Sequence, residues 1–287
     1  MKPAAFDYVR AASLDEALQA LARHGAAGKL LAGGQSLVPM MNLRLAKPAV
    51  IIDINRVPGL DGIRVEGGGL VIGALARHAG LTESALVAAH CPLMAEAYPH
   101  VAHGPIRNRG TLAGNISHAD PASEMPAVLA ACNAIVVAAS TQGKRNIPAG
   151  AFFTGALATA LTPGEMVTEI RIPSAPAGQG WAWLEVSNRK GDFAMAGIGV
   201  TLTMARGKCT QASLAVAGMD RPGVRLPAIE AQLVGHAIDD ARIAAVAKAA
   251  GAAVRPADSY HADEIYKREL VESLTTRALR TALGRCK

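Results

Sequence analysis

Two short stretches interrupt apolar runs with small residues, and they constrain this chain more than any other feature. The first, LLAGGQSLVPMM at residues 30–41, breaks a strand-like run with Gly33, Gly34, Gln35 and Ser36 and then turns apolar again. The second, RNRGTLAGNISHADPASEMPAVLAA at residues 107–131, repeats the theme. A tight turn accounts for the glycines of either stretch taken alone. Backbone without side chains also has a chemical use. Consecutive amide N–H groups can form a concave anion-binding nest, and a phosphate can come close where no Cβ stands in the way. Ser36 adds a hydroxyl donor to the first stretch. Arg107 and Arg109 add charge to the second, and Asn115 and Ser117 add donors. Two such loops, distant in sequence, are able to close on a diphosphate from both sides.

Other chemistries find little support. Gly67, Gly68 and Gly69 open a strand rather than a helix and no G-x-G-x-x-G follows, so the Rossmann fingerprint is absent. There is no Walker motif. Ser36 lacks evident His and Asp partners for nucleophilic catalysis. His100 and His103, three apart, can share a helical face, but no third metal ligand is in view and a structural or surface role is the simpler reading. His118 and Asp120 fall inside the second stretch, where they either orient a ligand or hold the loop through local hydrogen bonds. Arg189, Lys190, Gly191 and Asp192 read as a charged hairpin. No catalytic acid, base or nucleophile is assigned.

A formal net charge of +6 invites a nucleic-acid reading, yet the basic residues are scattered singly and aromatics make up only 3%, too few for base stacking. With 51% apolar residues, the 287-residue chain can bury a sizeable core, and two domains are the natural expectation. Cys91, Cys132, Cys209 and Cys286 stand at no metal or iron–sulfur spacing and read as thiols of a reducing compartment. No signal-peptide pattern and no uninterrupted apolar run of spanning length are seen, so a cytoplasmic protein is expected.

Ser13 and Glu16 make a capping box ahead of an amphipathic helix closed by Gly25. Strands are expected at 29–32 and 49–54, with a hairpin around 67–69. Helical patterns run over 78–101, broken at Pro92. A short helix at 124–132 feeds a strand at 134–139, and another strand covers 166–173. SAPAGQG at 174–180 has linker composition and marks a domain boundary. Beyond it, strands at 181–187, 193–204 and 209–217 precede helices at 226–234, 239–251 and about 267–283, a segregation that reads as α+β.

AGGQS with its following LVPMMNLRLAKP, and then RGTLAGNISHADPASEMPAVL, resemble the medium, FAD-binding subunit of the molybdenum hydroxylases. That family includes the flavoprotein subunits of aerobic carbon monoxide dehydrogenase and the flavin domain of xanthine dehydrogenase. The resemblance covers nearly the whole chain. It implies an α+β fold of the vanillyl-alcohol oxidase / p-cresol methylhydroxylase type, with an FAD-binding domain over 1–174 in subdomains of about 1–56 and 57–174. A smaller C-terminal α+β domain over 175–287, with a three-stranded sheet, would follow. It implies that Ala32, Gly33, Gly34, Gln35 and Ser36, with Thr111, Leu112, Ala113, Gly114 and Asn115, wrap the FAD diphosphate. Glu124, at a position often Asp in relatives, would hold the ribityl or adenosine side. Two departures stand out. The second loop usually reads T-x-G-G-N, and Ala113 replaces its first glycine. A lysine that relatives often place near the start of the first C-terminal strand has no counterpart among Trp183, Leu184 and Glu185. The cysteine-rich [4Fe–4S] insertion of some relatives is absent.

The resemblance implies an oxidoreductase subunit that transfers electrons. A molybdopterin-binding large subunit would hydroxylate the substrate, and a small [2Fe–2S] subunit would relay electrons to this FAD. An external acceptor would then take them, within a dimer of heterotrimers. Neither substrate nor acceptor is written in this chain. Two other classes stay open at this point. One is a stand-alone flavin oxidase or dehydrogenase, for which the C-terminal part is small. The other is a scaffold subunit that has lost FAD, for which Ala113 is the first suspect.

Overall fold

A computed structural model describes every residue of the chain except Asp258. At the N-terminus, Asp7–Arg10, Gly28–Leu31 and Val50–Asp53 form a parallel three-stranded sheet with Val50–Asp53 in the middle. Val50, Ile51 and Ile52 are all buried, as the central strand of a parallel sheet covered on both faces requires. The helix Leu14–His24 is the crossover that carries the chain from one edge strand, Asp7–Arg10, to the other, Gly28–Leu31. It starts at the expected capping box. Ser13 Oγ accepts from the Glu16 amide at 3.1 Å, and Glu16 Oε2 reaches back to accept from the amide of Ala12 at 2.8 Å.

The second sheet is antiparallel throughout. Its order is Ile63–Glu66, Gly69–Gly73, Met166–Ile172, Ile135–Ser140, Gly143–Pro148. The expected hairpin turns on Gly67 and Gly68, at φ 58° and 80°, the paired positive φ of a two-residue type I′ turn. The stretch 78–101 is a chain of short helices, His78–Glu83, Ala85–His90 and Pro92–Ala97, ending in the 3₁₀ turn Tyr98–His100. Pro92 opens a helix, where its missing N–H has no partner to lose. His100 and His103 therefore share no helical face. Ala102 between them sits at φ 47°, and a new helix starts at Gly104. Among the described residues no group of His, Cys, Asp or Glu is placed to hold a metal ion.

The third sheet is antiparallel, with the three strands expected from sequence at Gly180–Ser187, Ala194–Ala205 and Lys208–Ala217, and Val224–Arg225 added as a short fourth at the edge. The helices Asp240–Ala253 and Glu264–Arg285 back this sheet. The helix expected over 226–234 shortens to Pro227–Glu230. Pairing across the fold overrides helical pattern there: Val234 bridges to Cys209, and the Gly235 amide donates to the Cys209 carbonyl at 2.7 Å.

One helix joins the second and third sheets. Every residue of Glu124–Ala131 is buried, with the Ala194–Ala205 and Lys208–Ala217 strands packed against it. Arg225 fastens its C-terminal end, donating to the Ala130 carbonyl at 2.8 Å and to Asn133 Oδ1 at 2.7 Å while paired with Glu230 at 2.6 Å. A second tie is Arg285, which bonds Glu96 at 2.7 Å and stacks over Trp181 at 5.2 Å.

Gly180 opens the third sheet directly against the backbone of the long C-terminal helix, where any Cβ would overlap the Ala282 carbonyl oxygen. Gly180→Ala should destabilise the chain by about 1–3 kcal/mol. Urea unfolding reads this as a lower midpoint at unchanged slope; an unmoved midpoint would show that the helix shifts aside freely.

Candidate functional site

The first loop leaves the end of Gly28–Leu31 and runs into the short helix Leu37–Asn42. Among the described residues, none accepts a hydrogen bond from the amides of Gly33, Gly34, Gln35 or Ser36. Successive free donors in one bend make an anion nest. Ser36 Oγ caps nothing and is available to the same space. The Gln35 side chain folds back, Nε2 donating to the Gly33 carbonyl at 3.2 Å. The two glycines answer different demands. Gly34 sits at φ 71°, which favours glycine. Gly33 is required by contact: a Cβ there would stand 2.5 Å from the Arg109 carbonyl oxygen and 2.7 Å from Gly110 Cα. The first loop thus lies directly on the residues that precede Thr111.

The second motif is a helix start rather than the turn its composition suggests. Thr111 is the N-cap of Leu112–His118 and its Oγ1 accepts from the Gly114 amide at 3.0 Å. Leu112, Ala113 and Ile116 face the core, whereas Gly114 lies at the surface. Ala113 has helical backbone and no positive φ, so its methyl is accommodated without strain. Asn115 Oδ1 accepts from Ser123 Oγ at 2.9 Å, tying the helix to the turn before Glu124. Asp120 holds that turn by accepting from the Ala122 amide at 2.9 Å.

Two residues that sequence reasoning missed hold the loops together. Asn55 Nδ2 donates to the carbonyls of Leu31 at 3.1 Å and Ala32 at 2.9 Å, where the first loop begins. Its Oδ1 accepts from Arg77 Nη2 at 2.6 Å, and Arg77 Nη1 donates to the Arg109 carbonyl at the entry to the second motif. Asn55 follows a strand end, a usual place for a side-chain-to-backbone bond, and that was the one available signal. Nothing local to Arg77 marks it.

Glu124 does not lie in the loops. It is buried in the first turn of the helix Glu124–Ala131. Burial, with Asp120 adding like charge, pushes its carboxyl up to about 7. Glu185, from the third sheet, is also enclosed, with 1% of its side chain exposed. Burial and the charge of Glu124 raise it to about 8. Its Oε2 accepts from the Trp183 indole at 3.2 Å and lies 3.8 Å from His100 Nδ1. His78, buried against Gly110, is pushed down to about 4 by burial and by Arg107, so its imidazole is neutral.

A run of free amides held against a second small-residue motif, on an α+β frame with a further sheet, offers a bed for an anionic group. Residues 4–175 match the family described as FAD binding domain in molybdopterin dehydrogenase, and residues 181–282 match the CO dehydrogenase flavoprotein C-terminal domain. The chain is 38% identical to the carbon monoxide dehydrogenase medium chain of Hydrogenophaga pseudoflava, covering 100% of both. It is 40% identical to the 6-hydroxypseudooxynicotine dehydrogenase complex subunit alpha of Paenarthrobacter nicotinovorans, covering 100% of this chain and 97% of the relative. Its fold superposes on a solved structure of the H. pseudoflava carbon monoxide dehydrogenase with a TM-score of 0.97, at 40% identity and full coverage of both chains. The chain belongs to the FAD-binding medium subunits of the molybdenum hydroxylases. Its cofactor is FAD, and it is a subunit of an oxidoreductase.

The buried carboxyls set a pH dependence of stability. An acid whose pKa is raised in the folded state binds its proton more tightly there than in the unfolded chain. Stability from this source is complete below the ordinary value of 4.5 and is lost as pH rises through about 8 for Glu185. Glu185→Gln should therefore be roughly 1–3 kcal/mol more stable than the parent at about pH 9 and no different at about pH 4. Urea titrations at both pH values check this; an equal gain at both would mean that packing, not protonation, is responsible.

Proposed function

We propose that this chain receives electrons from the [2Fe–2S] clusters of a small partner subunit and passes them through FAD to an external acceptor. The substrate is hydroxylated on a molybdopterin-binding large subunit, and the whole assembles as a dimer of heterotrimers. Within the chain we read an FAD-binding part, residues 1–174, and a C-terminal part, residues 175–287, that closes over it. Gly33, Gly34, Gln35 and Ser36, with Ala32 at the entry, grip the diphosphate from one side. Thr111, Leu112, Ala113, Gly114 and Asn115 grip it from the other, and Glu124 helps hold the ribityl or adenosine side. FAD supplies the redox chemistry; the residues position it and restrict water.

The observation that carries this reading is the run of free amides at Gly33–Gly34–Gln35–Ser36 held against the second motif. Names of relatives support the assembly: a medium chain and a subunit of a dehydrogenase complex. Val38, Leu43 and Leu45, just after the first loop, are exposed apolar side chains of the kind a partner subunit covers. No helix among the described residues is long and apolar enough to cross a membrane, and the four cysteines are free, which supports a cytoplasmic protein.

Flavin absorbance at about 450 nm in the purified chain, or after reconstitution with FAD, is the direct test. Gly33→Ala should weaken FAD retention at least about tenfold by forcing the loops apart, and Asn55→Ala should do so by releasing the first loop, each with the fold intact by circular dichroism. Full retention in Gly33→Ala would overturn the loop assignment. Reduction of the isolated chain by a small organic substrate, with no partner present, would favour the oxidase instead.

A further inference from the structure

Two of the four thiols meet each other. Cys91 Sγ and Cys132 Sγ stand 3.6 Å apart, within hydrogen-bond distance for sulfur, although 41 positions separate them in sequence. Cys209 and Cys286 instead donate to backbone carbonyls, of Gln211 at 3.3 Å and of Leu202 at 3.5 Å. Cys91 immediately precedes the helix Pro92–Ala97, and Cys132 immediately follows the helix Glu124–Ala131. The tertiary fold, not the local chain, brings the two sulfurs together.

The pair also has access to solvent. Both cysteines line a cavity of about 450 Å³, with His90 and Arg225 in its wall and the exposed residues Ser174, Pro176 and Gln211 at its rim. The linker stretch at 174–180 thus borders an opening that leads to the thiols. The volume admits water and small polar reagents. The two thiols are unequal. Cys132, as donor to Cys91, holds the Cys91 thiol down, and the Met94 amide adds to this against burial. The same bond and burial push the Cys132 thiol up. One sulfur is therefore the better thiolate, and its neighbour keeps a proton in reserve.

We propose that Cys91 and Cys132 are a peroxide-reactive dithiol that closes reversibly to a disulfide and staples the segment carrying the second motif. The Cys91 thiolate attacks one oxygen of hydrogen peroxide. The O–O bond breaks, the leaving hydroxide takes a proton to become water, and Cys91 becomes a sulfenic acid. The Cys132 sulfur then attacks the Cys91 sulfur. The S–O bond breaks, the S–S bond forms and a second water leaves with the thiol proton. Two thiols lose two electrons, and one peroxide gains them as two waters. A dithiol reductant reverses the change. The sulfurs need to approach by about 1.5 Å to reach bonding distance. The loop so closed, residues 92–131, contains 111–115, and closing it restricts the unfolded chain. The step needs no flavin and stands apart from the FAD reading.

The test treats the purified full chain with hydrogen peroxide, then alkylates and digests it with trypsin without reductant. Peptides 78–107 and 110–144 should appear joined, two hydrogens lighter than their sum, and dithiothreitol should separate them. Cys209 and Cys286 should be recovered alkylated. The oxidised chain should unfold at a temperature higher by roughly 5 °C, reversibly with reductant. In Cys132→Ser, dimedone should trap a sulfenic acid on Cys91; in Cys91→Ser, Cys132 should stay unlabelled. Thiols of 91 and 132 that are lost without joining these peptides, or that survive peroxide untouched, overturn the proposal, and this measurement needs no variant. A joined pair with an unmoved unfolding temperature would overturn the staple.

Discussion

The carbonyl oxygen of Arg109 is the point at which two distant stretches of chain become one site. It accepts from Arg77, and the backbone of Gly33 passes so close that no side chain fits between. Arg77 also holds Asn55, which in turn holds the carbonyls of Leu31 and Ala32. The parallel sheet thus delivers the first loop, the run of short helices ending at Gly104–Arg107 delivers the second, and one guanidinium ties them together. A hydrogen-bonded bridge of this kind spends little surface and fixes a geometry that two packed cores alone would leave to tolerance. The amides of residues 33–36 remain free because their neighbours' carbonyls, not their own donors, are the groups used in the tie.

This division explains what was legible in the sequence. Alternating and apolar runs marked the long strands, since burial of one or both faces writes itself into local pattern. Gly33 and Gly34 were also legible, because backbone demands select residue types directly; the helix start at Thr111 was not, since its small residues read as a turn. Asn55 and Arg77 were not. Their role depends on which carbonyls the fold brings within reach, and nothing near them in sequence says so. The same holds for Glu185. In the linear chain it is one polar residue of an alternating strand, and only tertiary packing, with Trp183 and His100 beside the carboxyl, encloses it. The shortened helix at Pro227–Glu230 failed for the matching reason: a tertiary bridge at Val234 outweighed a good local pattern.

Burying two carboxyls at a seam is expensive, and hydrophobic replacements of similar size would pack there at lower cost. Trp183 satisfies one oxygen of Glu185, and the other is left open. Glu230, also buried, is matched: it receives two bonds from Arg225 and one from the Leu214 amide. The contrast between Glu230 and Glu185 separates a carboxylate matched on both oxygens from one matched on a single oxygen.

Ala113 completes the argument about what the second motif requires. Its backbone is helical and its methyl is buried in the core, so nothing in the geometry calls for glycine at that position. Gly114 differs. It faces out at the first turn, and a Cβ there would stand 2.8 Å from the Thr111 Oγ1 that caps the same residue's amide. The demand is for a bare surface directly beside the cap, met by one glycine and not two. A small residue at 113 keeps the helix pressed into the core, and Gly114 alone leaves the surface beside the cap bare.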